Sequence, residues 1–529
     1  MKKLFALLMA ALMLFSLAAC NNKTPVDNDT PPDVITPDIP NDMINLDAMK
    51  SGTCNVEGTV VQITEYDMQV NGEPMTQDPT QAVYRAFDMI YYEAGKGPTY
   101  GSGTEKDEHQ ADNQVAYLVV HITKPGTYIL NGYISKGQVV VDLGEDAKTN
   151  PGAVVNLYLN GVKIENPAAP CILFQNVYEC NVDGTVVSTE NAGANVYLCD
   201  DSINILNGSY VAKIYDPETV VEVDGKITAD TLYKFDGALH SCMSMNLGGK
   251  SGIVTINAEN EGISSNMHLN MTGGIWYINA KDDGMNANAD NMSVLTIEDG
   301  TVMIRCIGEE GDGIDSNGWL YINGGMVTAE AASASPDAPF DADNGVYING
   351  GIVCGTGNMM SELQEANQNF AQFSFEKKQG AGTYSVCSTE NVLAAEMTAQ
   401  NDFTVLVISS FALTEGEYVL YKDDTVLEVA KMEPQIPGLD LNRPGMQPDV
   451  ITSTDRMPPV DVNMPAEPPQ EPSEPRPDEP DIPAPPAENP DTNDSKPPEG
   501  DKDKPSKPDV EYSGNFIIVK GGNYFTVKG

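Results

Sequence analysis

The chain has 529 residues and a formal net charge of −47, from 77 Asp and Glu against 30 Lys and Arg. Acidity on this scale excludes a nucleic-acid partner, because phosphates are held by basic patches and counterion release. With 41% hydrophobic and only 7% aromatic residues, 47 Gly and 36 Pro, the composition favours short strands and turns over helix bundles.

Residues 1–20 read as an export signal. Lys2 and Lys3 precede an apolar run from Leu4 to Leu17, and Leu17-Ala18-Ala19-Cys20 closes it. The run is short for a membrane span and ends in small residues, so cleavage is expected. Leu-Ala-Ala-Cys resembles the bacterial lipobox, which implies lipidation at Cys20 and a protein anchored to the outer face of the cytoplasmic membrane. Residues 21–49 have no aromatic and read as a flexible linker. Residues 50–114 are assigned as an N-terminal cap.

Residues 115–433 carry the repeats. Glu261-Gly262-Ile263-Ser264-Ser265-Asn266, Asp283-Gly284-Met285-Asn286-Ala287-Asn288 and Asp312-Gly313-Ile314-Asp315-Ser316-Asn317 are successive copies, with Ala338-Pro339-Phe340-Asp341-Ala342-Asp343 a degenerate fourth. Ile263, Met285, Ile314 and Phe340 are 22, 29 and 26 residues apart. Each copy leads into an alternating strand and a glycine turn, such as Tyr321-Ile322-Asn323-Gly324-Gly325 and Tyr347-Ile348-Asn349-Gly350-Gly351. Three short strands per repeat predict one coil of a parallel β-helix, right-handed by the rule for parallel crossovers. The fold class expected is therefore an all-β right-handed solenoid between disordered stalks.

Stacking such coils roughly 4.8 Å apart gathers carboxylates into columns. Asp282, Asp283, Asp312, Asp315, Asp341 and Asp343, with Asn288 and Asn317, form the predicted oxygen ligands for Ca2+. A solvent-facing row of acids with asparagine ladders inside the turn is the competing reading. By strand alternation Leu269, Met271, Leu320, Ile322, Val346 and Ile348 point inward, as does Trp276. The same alternation leaves Trp319, Tyr321 and Tyr347 outward, with Asn270 in their column, as a candidate platform for sugar rings. Eight cysteines beyond Cys20 lack metal-ligand spacing and read as buried free thiols, although export permits disulfides.

The tail divides by composition. Residues 434–512 contain 21 of the prolines with 18 acidic and 7 basic residues, so 434–511 are expected to be extended and disordered. Residues 512–529 turn apolar again and predict a strand pair that docks back on the body. The body, 50–433, holds 53 acidic and 18 basic residues, a net of −35. Most of the charge therefore sits in the part that must fold.

The ordered series from Val154 to Gly357 resembles the bacterial carbohydrate-binding β-helix family, whose studied clostridial member binds cellulose and acidic sugars such as polygalacturonate. The segments that carry the likeness are Asp312-Gly313-Ile314-Asp315-Ser316-Asn317, the Ile-Asn-Gly-Gly turns and Leu159-Asn160-Gly161-Val162-Lys163-Ile164. The likeness continues through Val405 to Ser410 and Gly416 to Tyr421, covering most of 115–431. It implies bound calcium and a shape related to pectate lyases; Ala338-Pro339 departs from the expected Asp-Gly. The expected function is non-catalytic binding of cellulose or an acidic polysaccharide by a monomeric surface lipoprotein. Acidic sugar would then need calcium as a bridge. Two alternatives stay open: a calcium-dependent lyase with Lys281 or Arg305 as base, and a wall-structural adhesin.

Overall fold

Alternating apolar and polar residues set the strands, and glycines decide where the alternation changes phase. In Val155–Glu165 every second side chain is buried up to Gly161, after which the buried set shifts by one position. Gly161 has φ +75°, and a Cβ there would lie 2.5 Å from the Ser51 nitrogen, so the bend requires glycine. Leu269–Ala280 repeats the device at Gly273-Gly274, where φ at Gly274 is +91°. On one edge each of these two strands thus has two arms facing different neighbours, while on the other edge both arms pair with one long strand. The computed structural model describes residues 48–96, 100–181, 188–224, 226–390, 392–414, 416–423 and 425–432, and the strands Phe516–Val519 and Gly522–Val527. The signal segment with Cys20, most of the 21–49 linker and the Pro-rich 434–511 segment lie outside the described residues.

Among the described residues the fold is all-β, with the largest sheet containing 19 strands and further sheets of eight, four, two and two. Within the largest sheet Val155–Glu165 pairs in parallel with Ala194–Leu198 on one arm and with Ile203–Gly208 on the other. Those two strands pair in turn with Met245–Gly249 and Ile253–Ala258, which both pair with Leu269–Ala280. These six parallel strands close on themselves as a barrel. This corrects the expected right-handed β-helix solenoid. The two bent strands join arms that separate coils would leave apart, so the pairing closes into a ring within a larger mixed sheet.

The repeat itself appears as parallel register. Ile263 pairs with Met285 and Met285 with Ile314, and Phe340 bridges Ile314. Leu269, Leu295, Leu320 and Val346 are likewise aligned, all fully buried. Each such side chain contributes about 1.5–3 kcal/mol through burial. Trp276 is fully buried and its Nε1 donates to the Gly273 carbonyl at 2.9 Å.

Both ends of this body are covered. Thr59–Ile63 runs parallel to Gly126–Ile134, and Val83–Ala86 runs antiparallel to Leu118–Ile122. Thr53 and Asp200 exchange backbone hydrogen bonds, and beside them Cys54 and Cys199 form a disulfide with Cα atoms 4.8 Å apart. Free thiols were expected at both positions. The pairing follows from that antiparallel bridge, which no spacing in the sequence announces. The other six described cysteines are free. At the far end Phe403–Ser409 pairs antiparallel with both Ile352–Gly357 and Phe370–Gln379. Gly382–Ser388, Leu393–Ala399, Gly416–Lys422 and Thr425–Met432 form a four-strand antiparallel sheet, and Gly522–Val527 runs parallel to Phe370–Gln379.

Candidate functional site

The aspartates flank the short strands of the eight-strand sheet. Asp312 precedes the strand Ile314–Ser316, Asp315 lies within it, and Asp341 follows Phe340 on the neighbouring segment. One carboxylate oxygen of each lies within 4.8 Å of the other two. Backbone contacts fix this geometry. Asp341 donates its N–H to the Ile314 carbonyl at 2.8 Å, and Asp312 Oδ1 accepts the Ala338 N–H at 2.6 Å. Burial, with Asp341 nearby, pushes Asp312 up to about 8 and Asp315 up to about 7. Three carboxylates this close favour either protonation or a cation.

The acids continue one strand down. Asp283 Oδ1 accepts the Asp312 N–H at 2.7 Å, while Asn286 Nδ2 donates to Asp283 Oδ2 and Glu261 Oε1 at 2.9 and 3.1 Å. Burial raises Asp283 and Glu261 well above the usual carboxylate range, and their acidic neighbours push further in the same direction. Glu261 Oε2 and Asn286 Oδ1 are buried without a hydrogen-bond partner. The all-oxygen triad of Asp312, Asp315 and Asp341 is the donor set that a hard cation such as calcium takes.

The remaining predicted ligands separate from this centre. Asp282 is raised by burial and then by Glu310, and it faces an open cavity. Asn288 and Asn317 stand beyond the other end of the short strands, where Asn317 Nδ2 donates to the Asn288 carbonyl at 3.1 Å and to Asp290 Oδ1 at 2.9 Å. Asp343 is exposed and donates its N–H to the Ser316 carbonyl at 3.1 Å. The Asn317 side chain thus ties to the neighbouring turn at 288–290 and takes no part in the triad.

The aromatic row is only partly open. Tyr321 and Tyr347 stack with centroids 5.0 Å apart at 19°, and Trp319 and Tyr347 are half-buried. Tyr321 is 4% exposed, which corrects its assignment as an outward platform. It continues a column of buried polar groups, Asn195, Asn246 and Thr296, interrupted by half-buried Asn270, and is flanked by Thr296 and the Tyr347 ring.

The two basic residues considered for elimination chemistry are engaged. Lys281 Nζ pairs with Glu259 at 2.6 Å. Arg305 donates through Nε to Asn401 Oδ1 at 2.8 Å and through Nη1 to Gln400 Oε1 at 2.9 Å. Histidine contributes nothing to the acidic centre: His240 is fully buried and burial drives it down to about 3.

Sequence reasoning missed Asp236 and the segment 102–107, which line the cavity beside Glu261. Asp236-Gly237 carries the Asp-Gly signal one repeat earlier, while 102–107 has no periodic feature to find. Among the described residues no helix is long and apolar enough to cross a membrane.

Comparison with known proteins bears on this site. A model of the family described as carbohydrate-binding domain-containing protein matches residues 118–400, more than half of the chain. No curated protein matches. Among solved structures, a polysaccharide lyase-like protein from C. thermocellum, a gadolinium derivative, is similar at 20% identity and a TM-score of 0.34. The match covers 59% of this chain and 94% of that one.

Proposed function

The chain belongs to the family of carbohydrate-binding domain-containing proteins, and from that premise we propose that it binds polysaccharide non-catalytically, with calcium held in the aspartate centre. The observation that carries the calcium reading is the convergence of Asp312, Asp315 and Asp341 within 4.8 Å. These three residues would hold the ion, with Asp283 behind them positioning the Asp312 backbone. Calcium bound there would neutralise the triad and offer open coordination positions to sugar oxygens. An acidic polysaccharide, otherwise repelled by a body of −35, would bind through that bridge. Trp319 and Tyr347 would supply ring contacts for a neutral glucan.

Binding without cleavage is favoured because Lys281 and Arg305 are tied to Glu259, Asn401 and Gln400. A base for β-elimination must reach the proton it removes. We further propose that Leu17-Ala18-Ala19-Cys20 tethers the protein to the outer face of the cytoplasmic membrane by lipid at Cys20. Retention on polygalacturonate and on cellulose, with calcium and with chelator, tests the binding reading. Retention on neither polymer would sink it, and unsaturated products from pectin would replace it with a lyase. Loss of membrane association in Cys20→Ala tests the anchor.

A further inference from the structure

Beside the acidic centre lies a cavity of about 700 Å³, walled in part by Asp107, Tyr210, Lys234, Asp236, Glu261 and Asp282. Asp107, Asp236 and Glu261 are its buried ionisable groups, while Glu105, Lys106 and Lys234 are exposed at its rim. Asp107, Asp236 and Glu261 are 9%, 6% and 5% exposed, whereas Lys106 and Lys234 reach solvent. Two of the buried acids have partners: Tyr210 donates to Asp107, and Lys234 pairs with Asp236 at 2.8 Å. Glu261 Oε2 has none. A buried carboxylate oxygen without a donor marks a position where a ligand donor belongs.

Two observations separate this recess from a metal site. Among the described residues, the acids close enough to share an ion are Asp312, Asp315 and Asp341, and the group does not extend to Asp236, Glu261 and Asp282. The volume also lies in the range of small-molecule pockets, roughly 300–1,000 Å³, far beyond what a bare ion needs. The ligand is therefore an organic group that brings a hydrogen-bond donor. Asp236 and Asp282 bring negative charge to bear on Glu261 and Lys234 brings positive charge; two acids against one lysine leave a net negative wall, which favours a positively charged donor over a neutral hydroxyl.

We infer that this cavity receives the ammonium group of an amino sugar, with Glu261 as its main acceptor. The inference rests on the carbohydrate-binding reading and names a sugar class for it. It also matches the body's net charge of −35, which attracts a glycan bearing free amines and repels an acidic one.

The test is calorimetric titration of the full chain, in chelator, with a glucosamine trisaccharide, its N-acetylated counterpart and a glucose trisaccharide. The glucosamine oligomer should bind at least about tenfold more tightly than either neutral one. Glu261→Gln should erase that preference with an unchanged or raised melting temperature, since it neutralises a buried carboxylate whose Oε2 lacks a donor. Ser102→Trp, which fills the mouth from an exposed loop position, should block binding without touching Glu261. Equal affinity for the three sugars, a preference surviving in Glu261→Gln, or binding that needs added calcium would each overturn the inference. Retention of polygalacturonate with calcium alongside indifference to glucosamine would remove this inference alone; failure on every polymer would remove the reading beneath it.

Discussion

Asp283 accepts the backbone N–H of Asp312 through Oδ1 at 2.7 Å, and Asp312 repeats the contact on Ala338 at 2.6 Å. Each aspartate of the repeat thus fixes the entry of the next strand with one oxygen and keeps the other for a further role. The fourth copy has Ala338 where an acid is expected, so it receives this bond without passing it on. Asp341, three residues later, completes the triad.

Substitution within the triad should separate it from the other predicted ligands. Asp315→Asn or Asp341→Asn should weaken calcium binding by about tenfold or more, because each removes a charged ligand from a shared centre. Asp343→Asn and Asn317→Ala, at the other end of the strands, should leave the affinity nearly unchanged. Titration calorimetry with calcium reads both. Equal losses at all four positions would mean a larger centre than the triad.

The pH dependence of the metal-free protein follows from the same residues. Asp312 and Asp315 bind protons more tightly when folded, at about 8 and about 7 against 3.8 unfolded. Their stabilising effect is complete below the unfolded value and is lost as pH rises through the folded values. Buried His240 has the opposite sign, but it is already neutral in both states above its ordinary value of 6.5. Between pH 6.5 and 8 the carboxylates therefore decide. In chelator the melting temperature should fall across that window, and saturating calcium should flatten or reverse the fall. A rising melting temperature in chelator contradicts the assignment.

The two tyrosines of the stacked pair should behave differently. Tyr321→Ala empties a 4%-exposed site and should cost about 3–5 kcal/mol, as buried aromatic truncations do. Trp319→Ala and Tyr347→Ala should change stability less and weaken retention on neutral glucan. Denaturant unfolding together with affinity electrophoresis distinguishes these effects. Unchanged glucan retention in the Trp319/Tyr347 double variant would remove the aromatic contact from the account.

Removing the Cys54–Cys199 disulfide, which joins residues 145 apart, should lower stability by roughly 2–5 kcal/mol. The paired Ser substitutions, compared by chemical denaturation with the parent under oxidising conditions, test this. No difference would mean that the Thr53–Asp200 bridge alone holds the N-terminal segment.

What the sequence revealed depended on periodicity. Alternation correctly set Leu269, Leu320, Val346 and Trp276 inward, and the spacing from Ile263 to Phe340 predicted their parallel register. Closure was illegible, because it depends on Gly161 and Gly273-Gly274 bending single strands so that each arm finds a different partner. Tyr321 failed for a related reason: alternation tells which side of a strand a residue takes, but not what covers that side. Glu261 was recognised as a repeat residue, yet its orphaned oxygen is a property of its surroundings. The Cys54–Cys199 bond and the recess beside Asp236 join segments distant in sequence, and local pattern carries no trace of such meetings.

The central claim, polysaccharide binding through calcium at Asp312, Asp315 and Asp341, is tested most directly by affinity electrophoresis of the full chain through polygalacturonate. With calcium present the protein should be retarded, and chelator or Asp315→Asn should restore free migration. Equal retardation with and without chelator, or none with calcium, would contradict it.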